Sequence, residues 1–151
     1  NILKTIRKIN PDWGLEKDDI YCKKVINILR SRCKSLTDLI LNSEYFFSDP
    51  KSFSDTDIKN ILKDSDKEMI AEIIQLLNNL EFWDKDSLEK LFNNFLEKKS
   101  YSFGKLFKPM RIALCGCLNG PSLFELMEIL GKDLSINRLE TAIEEFRIEE
   151  S

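Results

Sequence analysis

Basic side chains are gathered in two stretches of the sequence that contain no acidic residue. Residues 98–124, the second acid-free window, hold five Lys or Arg, and so do residues 20–37, the first acid-free window. The rest of the chain holds all 26 acidic residues and only 13 of the 23 basic ones. Clustered Lys and Arg bind phosphate groups, so the two windows favour a surface that meets nucleic acid. Helix faces on which the charges are merely solvated are the alternative.

Aromatic residues are interleaved with the bases of the second acid-free window. Tyr101, Phe103 and Phe107 all lie between Lys98 and Lys108. Unpaired bases stack on aromatic side chains, and this combination therefore indicates a surface that meets phosphates and stacks bases. The acidic remainder of the chain would discourage loose binding elsewhere.

Histidine and the glycine-rich motifs that mark many enzymes are missing from the sequence. The chain has no His, which removes His-based triads, His general bases and most catalytic zinc sites. Its five Gly form neither a phosphate loop nor a dinucleotide fingerprint. Cys115 and Cys117 are separated by one residue, whereas Cys ligands of structural zinc are usually two to four residues apart. We therefore expect no catalytic residue, no metal and no cofactor in this chain.

The elements that must position these side chains are predicted to be helices. Apolar residues recur at spacings of three and four, and no segment alternates long enough to indicate a sheet. The clearest stripe runs from Met69 to Leu80, and an earlier one is expected to end near Cys33. Further predicted helices are Asp55 to Lys63, Ser87 to Lys98, and Ile136 to Arg147. The predicted fold class is all-α.

The segment around Pro50 is the clearest break in this pattern, because polar residues cluster there and proline disfavours a helix at the preceding residue. It predicts two packed helical subdomains, residues 1–49 and 50–151. No apolar run reaches the length of about 20 residues that a membrane-spanning helix needs, so a cytoplasmic protein without membrane contact is expected. The chain begins with Asn1 rather than Met, which suggests a piece of a longer protein.

Residues Lys105 to Ile143 resemble the C-terminal anticodon-binding region of bacterial-type glutamyl-tRNA synthetases. The family pattern Pro-Leu-Arg-x-Ala-Leu-Thr-Gly is matched by the sequence from Pro109 to Gly116, and the turn, Leu-Gly-Lys and Arg-Leu pieces follow in the family order as Gly120-Pro121, Leu130-Gly131-Lys132 and Arg138-Leu139. Cys115 stands where the family usually has Thr, and the loop Cys117-Leu118-Asn119 is short.

A second block, residues 30–47, resembles the family's Arg-x-Lys-Thr-Leu helix junction and its Tyr-Phe-Phe segment. The resemblance implies an all-helical cage in which the two blocks lie side by side around a tRNA anticodon. Each block overlaps one of the two acid-free windows, over residues 30–37 and 105–124. A tRNA loop against them would explain why acids are missing there.

Individual roles follow from the resemblance alone. Arg111 would contact the middle of the anticodon, with Gly120, Pro121 and Leu123 packing against its first two bases. Arg32 matches the arginine associated with the third base, and an arginine fork suits such a role because it donates two parallel hydrogen bonds. The phosphate-facing lysines would be Lys34, Lys98, Lys99, Lys105 and Lys108. An ion-paired surface residue is the alternative for Arg32, and a helix start with a core anchor is the alternative for Pro121 and Leu123.

Full-length members of that family ligate glutamate to its tRNA with ATP and Mg²⁺ in an upstream catalytic domain. The motif of that catalytic domain contains His, and this chain has none, so the domain is expected to lie outside this chain. The partners of this chain would be the glutamate tRNA and the upstream domains of the parent enzyme. The rival interpretation is a helical adaptor module that docks partner proteins through charged faces and binds no nucleic acid.

The purified 151-residue chain should form no aminoacyl-tRNA and hydrolyse no ATP, because the sequence offers no constellation of groups for either reaction. A radiolabelled-glutamate assay with a full-length synthetase as the positive control checks this. Measurable product from the chain alone would contradict the sequence analysis.

Overall fold

A computed structural model of the chain describes residues 1–50 and 64–150, with side chains described for residues 1–50 and 67–144. Within these residues the regular structure is helical and no strand is present, which confirms the all-α fold class. The helices are α1 (Ile2–Ile9), α2 (Asp19–Leu29), α3 (Leu36–Asn42), α4 (Glu44–Phe47), α5 (Asp64–Asn78), α6 (Lys85–Lys99), α7 (Phe103–Cys115), α8 (Leu123–Leu130) and α9 (Lys132–Glu150).

The chain divides into two compact units, Asn1–Asp49 and Pro50–Ser151. The first unit contains helices α1 to α4, and the second contains helices α5 to α9. The assignment of a separate anticodon-binding role to each unit stays a prediction.

The first unit is held together by hydrogen bonds from two aromatic side chains, one buried and one half-buried. Trp13, which is 5% exposed, donates its indole N–H to the hydroxyl oxygen of Ser43 over 2.9 Å. Tyr21 donates its hydroxyl to the carbonyl oxygen of Phe46 over 2.5 Å. These bonds satisfy the polar ends of two large side chains, and the segments near α2 and α4 are thereby tied to each other.

The second unit is built around α9, which packs against α5, α7 and α8, while α6 packs against α8. The buried side of α5 carries most of the predicted stripe, in five residues that are at most 9% exposed: Met69, Ile70, Ile73, Ile74 and Leu77. Leu80, the last residue of the predicted stripe, lies beyond the end of α5 and is half-buried. Gly131, in the left-handed region at φ 87°, lets the chain pass from α8 directly into α9. The apolar stripes thus face one shared core.

Within the described residues, helices are present where the sequence predicts them, but their lengths differ from the predicted ones. Helix α6 covers the predicted segment Ser87 to Lys98, and α9 extends beyond the predicted Ile136 to Arg147 at both ends. Helix α2 stops at Leu29, four residues before the expected end, because the chain turns there and the N–H of Arg32 bonds to the Leu29 carbonyl. The predicted helix Asp55 to Lys63 lies outside the described residues.

Changing Ile73 to Asp should lower the free energy of unfolding by several kcal/mol, on the order of 3 or more, because an unpaired carboxylate would enter a site that is 0% exposed. The matched control is Ala71→Asp on the exposed side of the same helix, where only helix propensity changes, by about 0.6 kcal/mol. Urea unfolding followed by circular dichroism measures both. Equal losses would contradict the burial of this face.

Candidate nucleic-acid interface

The loop between α7 and α8, residues 116–122, lies inside the second acid-free window. Helix α7 ends at Gly116, whose φ of 74° is left-handed and whose N–H bonds to the Ile112 carbonyl over 2.9 Å. A left-handed glycine at this position is a common way for a helix to stop. The backbone is thereby turned out of the helix and into the α7–α8 loop.

Arg111 holds the far end of the α7–α8 loop. It is half-buried, and its Nη2 donates to the carbonyl oxygen of Pro121 over 2.5 Å. Its Nη1 is buried and has no hydrogen-bond partner among the described residues. An unpaired buried donor costs about 1–3 kcal/mol. The arginine thus organises the loop and, in this conformation, does not present a free two-donor fork.

The four residues predicted to meet the anticodon from the second window lie together on this loop and its flanks. Gly120 is half-buried with a φ of 149°, and Pro121 is buried. Leu123 begins α8 and is 2% exposed, so most of its side chain contacts the core. The geometry brings Arg111, Gly120, Pro121 and Leu123 into one structural group, in which Leu123 has the position of a core anchor.

Arg138 is the buried residue that supports the near end of the loop. It is 3% exposed, and its Nη1 on α9 donates to the carbonyl oxygen of Leu114 over 2.7 Å. Leu114 lies in the last turn of α7, where carbonyl groups have no partner within the helix. A cation at a helix C-terminus also interacts favourably with the helix dipole. Arg138 therefore fixes where α7 ends and the loop begins.

Lys132 supplies hydrogen bonds at the C-terminal end of α5, as Arg138 does for α7. Its ammonium group donates to the carbonyl oxygens of Asn78, over 3.0 Å, and of Leu80, over 3.1 Å. Lys132 and Arg138 belong to the family pattern in the sequence, and nothing in that pattern indicated their roles as donors to helix ends. Arg138 lies three residues after buried Ser135 and four before buried Ala142, but Ser and Ala do not mark the core side of α9 in the sequence.

The predicted phosphate-facing lysines of the second window differ in their surroundings. Lys98, Lys105 and Lys108 are exposed. Lys99 is half-buried and forms an ion pair with Glu72, 2.9 Å from Nζ to Oε2. The hydrogen bond to Glu72 raises the pKa of Lys99. Phosphate binding by Lys99 would therefore compete with its ion pair to Glu72. The three exposed lysines are more accessible than Lys99.

The predicted residues of the first window lie in the first unit. Arg32 and Lys34 are exposed and belong to the turn between α2 and α3. Ser35 ends that turn by accepting a hydrogen bond from the Asp38 N–H over 3.1 Å, as an N-cap of α3. The side chain of Arg32 is thus displayed on a turn whose two ends are set by helices.

Of the two cysteines near the α7–α8 loop, Cys115 is buried and Cys117 is half-buried. Cys115 is 8% exposed, and desolvation raises the pKa of its thiol to about 12. Desolvation also raises the pKa of Cys117, whose thiol donates to the Asn119 carbonyl over 3.2 Å. Both thiols are protonated at neutral pH and are weak nucleophiles. The described residues contain no group of three or more His, Cys, Asp or Glu side chains that could hold a metal ion.

A family model described as "Anticodon binding domain" matches residues 3–143 of the sequence. The chain belongs to this family. The match includes both acid-free windows, the α7–α8 loop and the two basic residues that cap α5 and α7. None of the helices in the described ranges is long and apolar enough to cross a membrane.

Relatives of this anticodon binding domain carry the name glutamate–tRNA ligase. A protein of that name from Rickettsia canadensis is 31% identical over 90% of this chain and 30% of its own length. One from Christiangramia forsetii is 29% identical over 86% of this chain and 26% of its own length. The chain thus spans between a quarter and a third of the curated relatives it matches.

A solved structure shows the same fold. The crystal structure of a glutamate tRNA ligase from Elizabethkingia meningosepticum, in complex with its amino acid, superposes with a TM-score of 0.85 at 26% identity. The superposition covers 95% of this chain and 28% of that protein. The resemblance inferred from the two sequence blocks is therefore confirmed.

Changing Arg138 to Met should destabilise the second unit by about 1–3 kcal/mol, because the Leu114 carbonyl loses its buried donor. The matched control is Asn137→Met on the exposed side of α9, which leaves that bond intact. Thermal unfolding by circular dichroism compares the two variants. A stability of Arg138→Met equal to that of the control would show that the bond contributes nothing.

Proposed function

We propose that this chain is the anticodon-binding region of a glutamate–tRNA ligase and that it contacts the anticodon loop of the tRNA. The observation that carries the proposal is the loop between α7 and α8, which Arg111 and Arg138 hold at its two ends inside a window without acids. A fixed backbone next to basic side chains suits the recognition of unpaired bases, since such bases can be splayed against a protein surface.

Arg111 is proposed to meet the middle of the anticodon. Its Nη2 is engaged by the Pro121 carbonyl, so the contact would use the part of the side chain that stays exposed, by stacking or by a bond to a base. Gly120 and Pro121 would pack against the first two bases, with Leu123 supporting them from the core.

Arg32 is proposed to read the third base. It is exposed on its turn, and its guanidinium can donate two parallel bonds to one base edge. Lys34, Lys98, Lys105 and Lys108 are proposed to face phosphates, which fixes the position of the RNA without reading its sequence. Lys99 is the weakest member of this group, since it would have to leave Glu72.

The parent enzyme is proposed to ligate glutamate to its tRNA in the cytoplasm, with ATP and Mg²⁺ in an upstream catalytic domain. Support comes from the shared name of the relatives, although this chain covers 30% of one and 26% of another. Recognition of the anticodon would be the contribution of this chain, and the chemistry would occur elsewhere in the parent.

Membership of the anticodon binding domain family does not favour an adaptor module without nucleic-acid binding. The two functions also differ in salt dependence. RNA binding through phosphate contacts releases counterions and strengthens steeply as salt falls.

The test uses stem-loop RNAs that carry either a glutamate or a glutamine anticodon. Arg32→Gln should cost on the order of 1–3 kcal/mol with the glutamate stem-loop and less with the other, because one base contact is lost. Arg32→Lys keeps the charge and loses the fork, so discrimination should fall while the salt dependence stays. Lys108→Ala is the matched phosphate variant, and it should weaken both RNAs alike and lower the salt slope by about one.

Fluorescence anisotropy at several salt concentrations measures all four proteins, including the unchanged chain. Equal losses for both RNAs with Arg32→Gln would remove Arg32 from base reading. Binding that is absent at every salt concentration would refute the proposed function as a whole.

A further inference from the structure

Phe103 is a large apolar side chain left exposed in the middle of the second acid-free window. It opens helix α7, and its side chain is 59% exposed. A single exposed apolar side chain is ordinary on a protein surface, but an exposed aromatic ring on a basic surface is a group on which an unpaired base can stack.

The ring of Phe103 is backed by buried or half-buried aromatic residues. It meets Phe107 edge to face, with the ring centroids 5.3 Å apart. Phe107 in turn contacts Phe124 at 5.6 Å and Phe92 at 6.3 Å. Because Phe92 is 0% and Phe124 is 8% exposed, this group is anchored in the core. Phe103 is therefore held against a firm support while more than half of its surface stays open.

The three other aromatic residues of the window are already packed against neighbouring side chains. Tyr101 is half-buried, and the Lys105 ammonium lies 4.0 Å from the centroid of its ring. Tyr101 also meets Phe95 edge to face at 6.2 Å. Phe107 is half-buried in the aromatic group described above. Phe124, the last residue of the window, is buried in the same group. Of the four aromatic residues in the window, Phe103 is therefore the one with an exposed ring.

The charge around Phe103 points to a phosphate-bearing partner. Lys105 lies in the same first turn of α7, and Lys98 and Lys108 are exposed nearby in the sequence, with no acid from residue 98 to residue 124. Phe82 provides a contrast, because it is 64% exposed but has Glu81 and Asp84 beside it. An exposed ring among lysines combines stacking with phosphate attraction, as in proteins that bind single strands.

We propose that Phe103 stacks on an unpaired base of the bound RNA loop. This contact rests on the proposed function and extends it, since Phe103 is outside the group of residues assigned to the anticodon above. Stacking on one ring accepts any base, so Phe103 would add affinity without discriminating between anticodons.

The test compares Phe103→Leu, Phe103→Trp and Phe82→Leu in the same stem-loop binding assay. Phe103→Leu keeps an apolar side chain at an exposed position and removes the ring, so binding should weaken about 5- to 150-fold for either anticodon. The salt slope should stay unchanged, because no charge is lost. Phe103→Trp should bind at least as tightly as the unchanged chain, and Phe82→Leu should leave binding unchanged.

A second measurement reports the stack itself. Stem-loops with 2-aminopurine at successive loop positions should show one position whose fluorescence is quenched by the unchanged chain and by Phe103→Trp, and is not quenched by Phe103→Leu. Circular dichroism of each variant verifies folding.

The outcomes separate this inference from the proposed function. If the chain binds RNA with the expected salt dependence and Phe103→Leu binds as tightly, the stacking role of Phe103 is wrong while the proposed function stands. The same holds if Phe82→Leu weakens binding as much as Phe103→Leu. If the unchanged chain binds neither stem-loop, both proposals fall together.

Discussion

The last carbonyl groups of a helix need donors from outside the helix, and the second unit depends on how that need is met at the ends of α5 and α7. Four backbone carbonyls at each helix C-terminus have no partner within the helix. Lys132 supplies a donor to the end of α5, and Arg138 supplies one to the end of α7. Both residues come from α9, so one helix fixes where two others stop. These bonds hold the end of α5 and the start of the α7–α8 loop against α9.

The same residue types serve two purposes, and burial separates them. Arg138 is 3% exposed and donates a hydrogen bond to a backbone carbonyl, whereas Lys98, Lys105 and Lys108 are exposed. Arg111 stands between the two groups, since it is half-buried and bonded to Pro121. Charge counting along the sequence treats all of these residues alike. The structure is needed to separate the cations that support the backbone from those that can face a ligand, because burial and hydrogen bonds distinguish the two groups.

Sequence reasoning predicted the helical class and the stripe of α5 because periodic apolar positions decide both. It did not predict α7, where Gly104, Pro109 and Gly116 all suggest interruption. Pro109 is tolerated because it lacks only the bond to the Lys105 carbonyl, which lies in the exposed first turn and can meet water. The predicted group on the α7–α8 loop could be placed from family resemblance. The hydrogen bond from Arg111 to Pro121 could not be predicted, because its acceptor is a backbone oxygen, which every residue type carries.

The bonds that frame the α7–α8 loop end on carbonyl oxygens, those of Leu114 and Pro121. A carbonyl oxygen is present whatever side chain its residue carries. These two bonds are therefore insensitive to the side chains of Leu114 and Pro121. The path of the loop still requires Gly116 and Gly120, whose φ angles of 74° and 149° disfavour other residues. Between them, the run Cys117-Leu118-Asn119 can change on a constant frame. The shape of the loop and the side chains that it displays are therefore set by different residues. The contacting surface can change in evolution while the backbone keeps its course.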